Sequence, residues 1–172
     1  MDSYCEQLIA KTRTGGDTAK IALSIVLSLL VAAVCVFFML ITGAVALLLL
    51  AVISVGAGIW AAGNVGIEYE YIITNEEMDI DKVIGKRKRK RMITVDLRKT
   101  TVFEPLPFEG DDFDVIVKAS SGLKKDAYCM FVEHNDYGKV KIVFNPNKKT
   151  RDAIAQMLPR QLREKVVNED AE

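Results

Sequence analysis

The chain has 172 residues, half of them apolar, with 23 basic and 23 acidic side chains and therefore no formal net charge at neutral pH. That balance excludes a protein whose overall charge drives it onto nucleic acid. The three cysteines, Cys5, Cys35 and Cys129, lie too far apart for a disulfide framework or metal-ligand spacing to be read from them.

Residues 1–17 are polar, with Tyr4, Leu8 and Ile9 as an apolar minority, and carry Thr14-Gly15-Gly16 near their end. They are expected to form a cytoplasmic N-terminal segment, with a short interfacial helix as the reading of its apolar residues. Asp17 or Thr18 is predicted to cap the helix that follows, since either side-chain oxygen can accept from a free amide of the first turn.

Between Lys20 and Glu68 there is no charged residue. A helix apolar on every face over that length belongs in a membrane. As one helix the run would measure about 70 Å, more than twice the roughly 30 Å hydrocarbon core, so two crossings are predicted. Thr42-Gly43 breaks the run, which gives spans of about 18–41 and 44–65 within a transmembrane hairpin over 18–66. With so short a turn the helices run antiparallel and both chain ends lie on one side. Lys11, Arg13 and Lys20 precede the hairpin and the basic run from Lys86 to Arg91 follows it, while the connector has no Lys or Arg. The positive-inside rule then predicts a multi-pass protein of the cell membrane with both termini cytoplasmic. The apolar run is too long for a secretory signal, so no cleavage is expected.

Within the hairpin, small residues recur every fourth position: Ser24, Ser28 and Ala32, then Ser54, Gly58, Ala62 and Gly66. Small side chains let backbones approach closely where lipid supplies no hydrophobic drive, so these are the predicted helix-packing residues. They suit either the two helices of one chain or a homo-oligomer contact. Trp60 and Asn64 read as interface and helix-end residues. No Asp, Glu, Lys, Arg or His lies between Lys20 and Glu68, and proton relays and ion pathways usually need one, which argues against a pump or secondary transporter.

From Ile67 the period falls to two. Ile67, Tyr69, Tyr71 and Ile73 alternate with Glu68 and Glu70 as a half-buried strand, and Thr74-Asn75-Glu76 makes the turn. A second strand, Met78 to Ile84, closes at Gly85, and Ile93, Val95 and Leu97 mark a third. Pro105 and Pro107 interrupt regular structure, and Glu109 to Asp112 reads as a loop. Further strands are predicted at 113–118, 127–133 and 139–144, separated by Ser120-Ser121-Gly122 and Asn135-Asp136-Tyr137-Gly138. Helical spacing then returns in Ile154, Met157, Leu158, Leu162 and Val166, with Asn147 as N-cap and Pro159 splitting the helix after Leu158. Residues 168–172 form an acidic tail. The expected architecture is thus a membrane α-hairpin plus an α+β domain over 67–167. About six strands form an antiparallel sheet or partial barrel closed by a C-terminal helix.

The segments Glu70-Tyr71-Ile72-Ile73-Thr74-Asn75, Met78-Asp79-Ile80-Asp81, Gly85 with its basic successors, and Ile93-Thr94-Val95-Asp96-Leu97 resemble a bacterial pleckstrin-homology-like (PH-like) domain. Over nearly its whole length the chain is similar to short bacterial membrane proteins with an N-terminal hairpin and this domain. It departs from phosphoinositide-binding members in clustering its basic residues after Gly85, and from many eukaryotic members in lacking a tryptophan in the closing helix. The resemblance implies a scaffold that binds protein, peptide or lipid head group, with no catalytic residues and no cofactor.

Lys86, Arg87, Lys88, Arg89, Lys90 and Arg91 form the most pointed candidate site. Strand alternation would put the lysines on one face and the arginines on the other, in line with Ile93, Val95 and Leu97, so this end of the strand is expected to overhang the core. Near an anionic leaflet such a run gains about 1 kcal/mol per basic residue. Two readings stay open: docking on anionic lipid head groups, or a solvated hairpin end that also sets topology. No aromatic residues interleave the run as a stacking platform would require, so no nucleic acid is expected.

Glu104, Glu109, Asp111, Asp112 and Asp114 match no calcium-loop spacing and read as a solvated acidic loop, so no metal is expected. His134, the only histidine, stands beside a turn without a nucleophile at suggestive spacing and reads as a surface residue. Tyr69 and Tyr71 read as core and interface residues. The expected function is a non-enzymatic, membrane-anchored binding or assembly module with an unknown protein partner. The alternative is a small subunit or regulator of a larger membrane complex acting through its hairpin.

Overall fold

The computed structural model describes residues 4–107, 113–123 and 126–163. In chain order the elements are β1 (Tyr4–Ala10), α1 (Gly15–Thr42), α2 (Ala46–Gly63), β2 (Ile67–Thr74), β3 (Glu77–Ile84), β4 (Lys88–Asp96), β5 (Thr100–Pro105), β6 (Val115–Ala119), β7 (Tyr128–His134), β8 (Gly138–Phe144) and α3 (Lys148–Met157). They divide into two compact units. One comprises Arg13–Ile67 with Ile84–Lys86; the other holds the chain up to Thr12, Glu68–Val83 and the chain from Arg87 onward.

In the first unit α1 and α2 pack side by side, and both are long and apolar enough to cross a membrane. No residue of α1 is buried, and Leu, Ile, Val and Phe side chains stand exposed along both helices, as lipid-facing residues do. The N-cap of α1 is Thr14, ahead of the expected Asp17 or Thr18. Its hydroxyl accepts from the Asp17 amide, and the Asp17 carboxylate accepts from the Thr14 amide at 3.1 Å, a reciprocal capping box. Asp17 therefore serves at the third helical position, where its charge also complements the positive end of the helix. Gly43 ends α1 at φ 69°, a left-handed conformation that glycine adopts without a Cβ penalty.

The second unit contains two four-stranded sheets, ordered β1-β2-β3-β4 and β5-β7-β8-β6. The expected count of about six strands omitted β1 and β5, and the second sheet is mixed, because β6 runs parallel to β8. The interfacial helix expected near the N-terminus is instead β1, antiparallel to β2 from Tyr4↔Thr74 to Ala10↔Glu68. Its burial alternates, with Cys5 buried, Gln7 and Ile9 half-buried, and Tyr4, Glu6 and Leu8 exposed. That is a strand at a sheet margin. β5 tolerates Pro105 because it is an edge strand and Pro105 is its last residue.

Tyr71 ties the two sheets together. Fully buried, it packs edge-on against Phe144 at 5.5 Å between ring centroids, donates its hydroxyl proton to the Ala119 carbonyl and accepts from the Asn145 amide. Met78, Ile80, Val95, Met130 and Ile142 are likewise fully buried and belong to the core. α3 closes the unit with Ala153, Ile154 and Leu158 buried, and Asn147 caps it by accepting from the Thr150 amide at 2.8 Å. The helix stops at Met157, and Pro159 opens a new turn in which its carbonyl accepts from Leu162 and Arg163. Val166 and residues 168–172 lie outside the described residues.

The apolar hairpin thus interrupts a sheet. β1 and β2 are hydrogen-bonded neighbours, yet both helices lie between them in sequence.

Candidate functional site

The basic run occupies the β3–β4 turn and the first half of β4. Gly85 and Lys86 both take left-handed conformations, at φ 58° and 57°, the geometry of the tight hairpin turns whose twist matches flanking strands. The turn is fixed to the end of α2 within the helical unit. The Gly85 amide donates to the Gly66 carbonyl at 2.7 Å, and a Cβ on Gly85 would meet Asn64 Oδ1 and the Gly63 carbonyl at 2.9 and 3.0 Å. Only glycine fits both the conformation and the approach. Arg87 follows two residues later.

Along β4 the arginines do not continue the core face, which corrects the alternation expected from Ile93, Val95 and Leu97. Arg91 Nε donates to Asp81 at 2.7 Å, its Nη1 lies 2.9 Å from Asp79, and it reaches Thr94 Oγ1 at 3.3 Å. Thr94 in turn donates to Asp79 at 2.6 Å. The guanidinium therefore lies on the face of Thr94, whereas Ile93 and Val95 point into the core. A strict period of two would have sent a charge inward; ion pairing on the outer face is the lower-energy outcome. The hydrogen bond that Arg91 donates to Asp81 reinforces the charge on Arg91. Arg89 likewise pairs with Glu70, at 3.1 Å. Arg87, Lys88 and Lys90 are exposed and make no ion pair among the described residues.

The predicted packing residues divide as well. Ser54 Oγ lies 3.3 Å from the Ser28 carbonyl, and a Cβ on Gly58 would collide with the Ser28 side chain and stand 3.2 Å from the Ser24 carbonyl. Ser24, Ser28, Ser54 and Gly58 thus meet in the contact between the helices. At Gly66 the space for a side chain is open, and the residue acts through its carbonyl instead.

Of the acidic cluster, Asp114 accepts from the Lys139 amide at 2.8 Å, while Glu109, Asp111 and Asp112 lie outside the described residues. Among the described residues no His, Cys, Asp or Glu group has metal-site geometry. His134 Nδ1 accepts from the Asp136 amide in the β7–β8 turn. Cys129 is buried with its thiol facing the Glu104 carbonyl, and burial pushes that thiol up, away from reactivity.

Two features escaped the sequence reading. Glu70, Asp79 and Asp81 are the counter-charges of the arginines, and their alternation along β2 and β3 was the available signal. Gln7 on β1 clamps the chain between β8 and α3, donating to the Asn145 carbonyl at 2.8 Å and accepting from the Asn147 amide at 2.8 Å.

The family model described as Bacterial PH-like domain (DUF6106) matches residues 1–164. The chain belongs to that family. The match begins before β1 and runs through α3, so it covers both apolar helices and both sheets. No curated protein and no solved structure matched the chain.

Proposed function

We propose that this PH-like protein is a non-enzymatic, membrane-anchored binding or assembly module of the cell membrane, with both termini and the PH-like unit cytoplasmic. The observation that carries the reading is the interruption of one sheet by the apolar hairpin. Since β1 pairs with β2, a hairpin between them has to leave and return on one side, and the basic residues on both flanks favour the cytoplasmic side. The hairpin anchors, and the PH-like unit presents surfaces for a protein partner.

Within this reading Arg87, Lys88 and Lys90 meet anionic lipid head groups, next to Lys86 in a turn held on the end of α2. Arg89 and Arg91 serve the sheet, because their charges are already paired with Glu70, Asp79 and Asp81. The test is quenching of a fluorophore on a single cysteine at position 88 by brominated anionic or neutral lipid in nanodiscs holding the full chain. The labelled cysteine itself removes one basic residue, leaving Arg87 and Lys90 to hold the run. Stronger quenching with anionic lipid, lost at high salt and in Arg87→Gln/Lys90→Gln, supports the reading. Equal quenching in both lipids contradicts it.

A further inference from the structure

On the outer face of the first sheet, Glu70 is 1% exposed, an unusual burial for a carboxyl group. One oxygen, Oε1, meets Arg89; the other, Oε2, is buried and has no hydrogen-bond donor among the described residues. What faces the Glu70 carboxyl from the neighbouring strand is another carboxyl. Glu6 on β1 is opposite Ile72, and Leu8 is opposite Glu70, so Glu6 and Glu70 are diagonal neighbours on one face. Two carboxylates cannot hydrogen-bond without a proton between them. Tyr4 donates to Glu6 Oε2 at 2.6 Å, which makes Glu6 an acceptor and leaves the buried Glu70 Oε2 as the atom that a shared proton would satisfy, with one negative charge kept on the pair opposite Arg89.

We propose that Glu6 and Glu70 share one proton across the β1–β2 pair, and that this proton makes the docking of the N-terminal strand pH-dependent. The groups acting on the pair are Tyr4 on β1, Asp81 on β3 and Arg89 on β4, with Glu68 two residues along β2 on the same face. Arg89 is bonded to it directly, while Arg91 is occupied by Asp79 and Asp81. Burial and the Glu6 contact push the Glu70 carboxyl up, whereas the bonds from Tyr4 and Glu70 hold Glu6 down. The pair therefore titrates as a unit. The contribution of Glu70 is complete below its ordinary value and is lost as pH rises through its raised one. That of Glu6 is present above its ordinary value and is lost as pH falls through its lowered one. Docking is tightest around the ordinary carboxylate range. On the alkaline side two negative charges oppose each other across the strand pair.

The experiment is hydrogen exchange of the β1 amides, corrected for intrinsic rates, in the full chain in micelles from pH 5 to 9, with carboxyl carbon shifts of Glu6 and Glu70 read in the same samples. Protection of β1 is expected to fall with rising pH. The loss is about tenfold for each unit by which the Glu70 carboxyl stands above its undocked value. Glu70→Gln supplies an amide donor in place of the proton and is expected to flatten the profile. Glu6→Gln, which donates to ionised Glu70, is expected to do the same, so misfolding of either variant leaves the other to decide. Independent titration of the two carboxyls in the ordinary range, or an equal alkaline loss in wild type and both variants, would overturn the proposal.

Discussion

Tyr71 shows how one side chain fixes the relation of two sheets. Its ring fills the core against Phe144, and its hydroxyl serves the Ala119 carbonyl and the Asn145 amide. Tyr71→Phe keeps the ring and leaves those two backbone groups without their partner. The expected cost is about 1–3 kcal/mol, seen as a lower urea midpoint at an unchanged slope. Gly58 plays the corresponding part between the helices. Gly58→Leu drives a side chain into Ser28 and is expected to destabilise the hairpin by about 1–3 kcal/mol in SDS titration. Gly56→Leu, where no atom lies within 4 Å, is expected to be near neutral in the same titration. The need for small residues at Ser28 and Gly58 was legible from their spacing. The face taken by Arg89 and Arg91 was not, because alternation puts them in line with Ile93, and the carboxylates that draw them to the other face come from other strands.

At the scale of elements, β1 is the piece whose loss the account predicts to be costly. It supplies the outer neighbour of β2, the Gln7 clamp on the chain before α3, the buried Cys5 beside Thr150, and a bond from the Thr12 amide to the Ser121 carbonyl just beyond it. A fragment of residues 68–172 would leave the β2 edge open and the Glu70 carboxyl uncovered. It is expected to show weaker amide dispersion and faster proteolysis than the same fragment supplied with a peptide of residues 1–12. The strands from β2 to β4, the closing helix, its Asn147 cap and its stop before Pro159 were legible, because each is written in local period and turn chemistry. β1 was hidden because its partner lies beyond two long apolar helices, and the parallel pairing of β6 with β8 is likewise a long-range choice without a local mark.

For the whole molecule, two apolar helices inserted between paired strands tie the anchor and the PH-like unit to one continuous chain path. The central claim is that the chain leaves and re-enters on one side of the membrane, and impermeant thiol labelling tests it most directly. Single cysteines at Lys11→Cys, Val45→Cys and Tyr137→Cys would be placed in a background with Cys5, Cys35 and Cys129 replaced, and compared in intact cells and inverted vesicles. The account predicts that positions 11 and 137 react only in inverted vesicles while position 45, between the helices, reacts only in intact cells. Positions 11 and 137 reacting from opposite sides would contradict it.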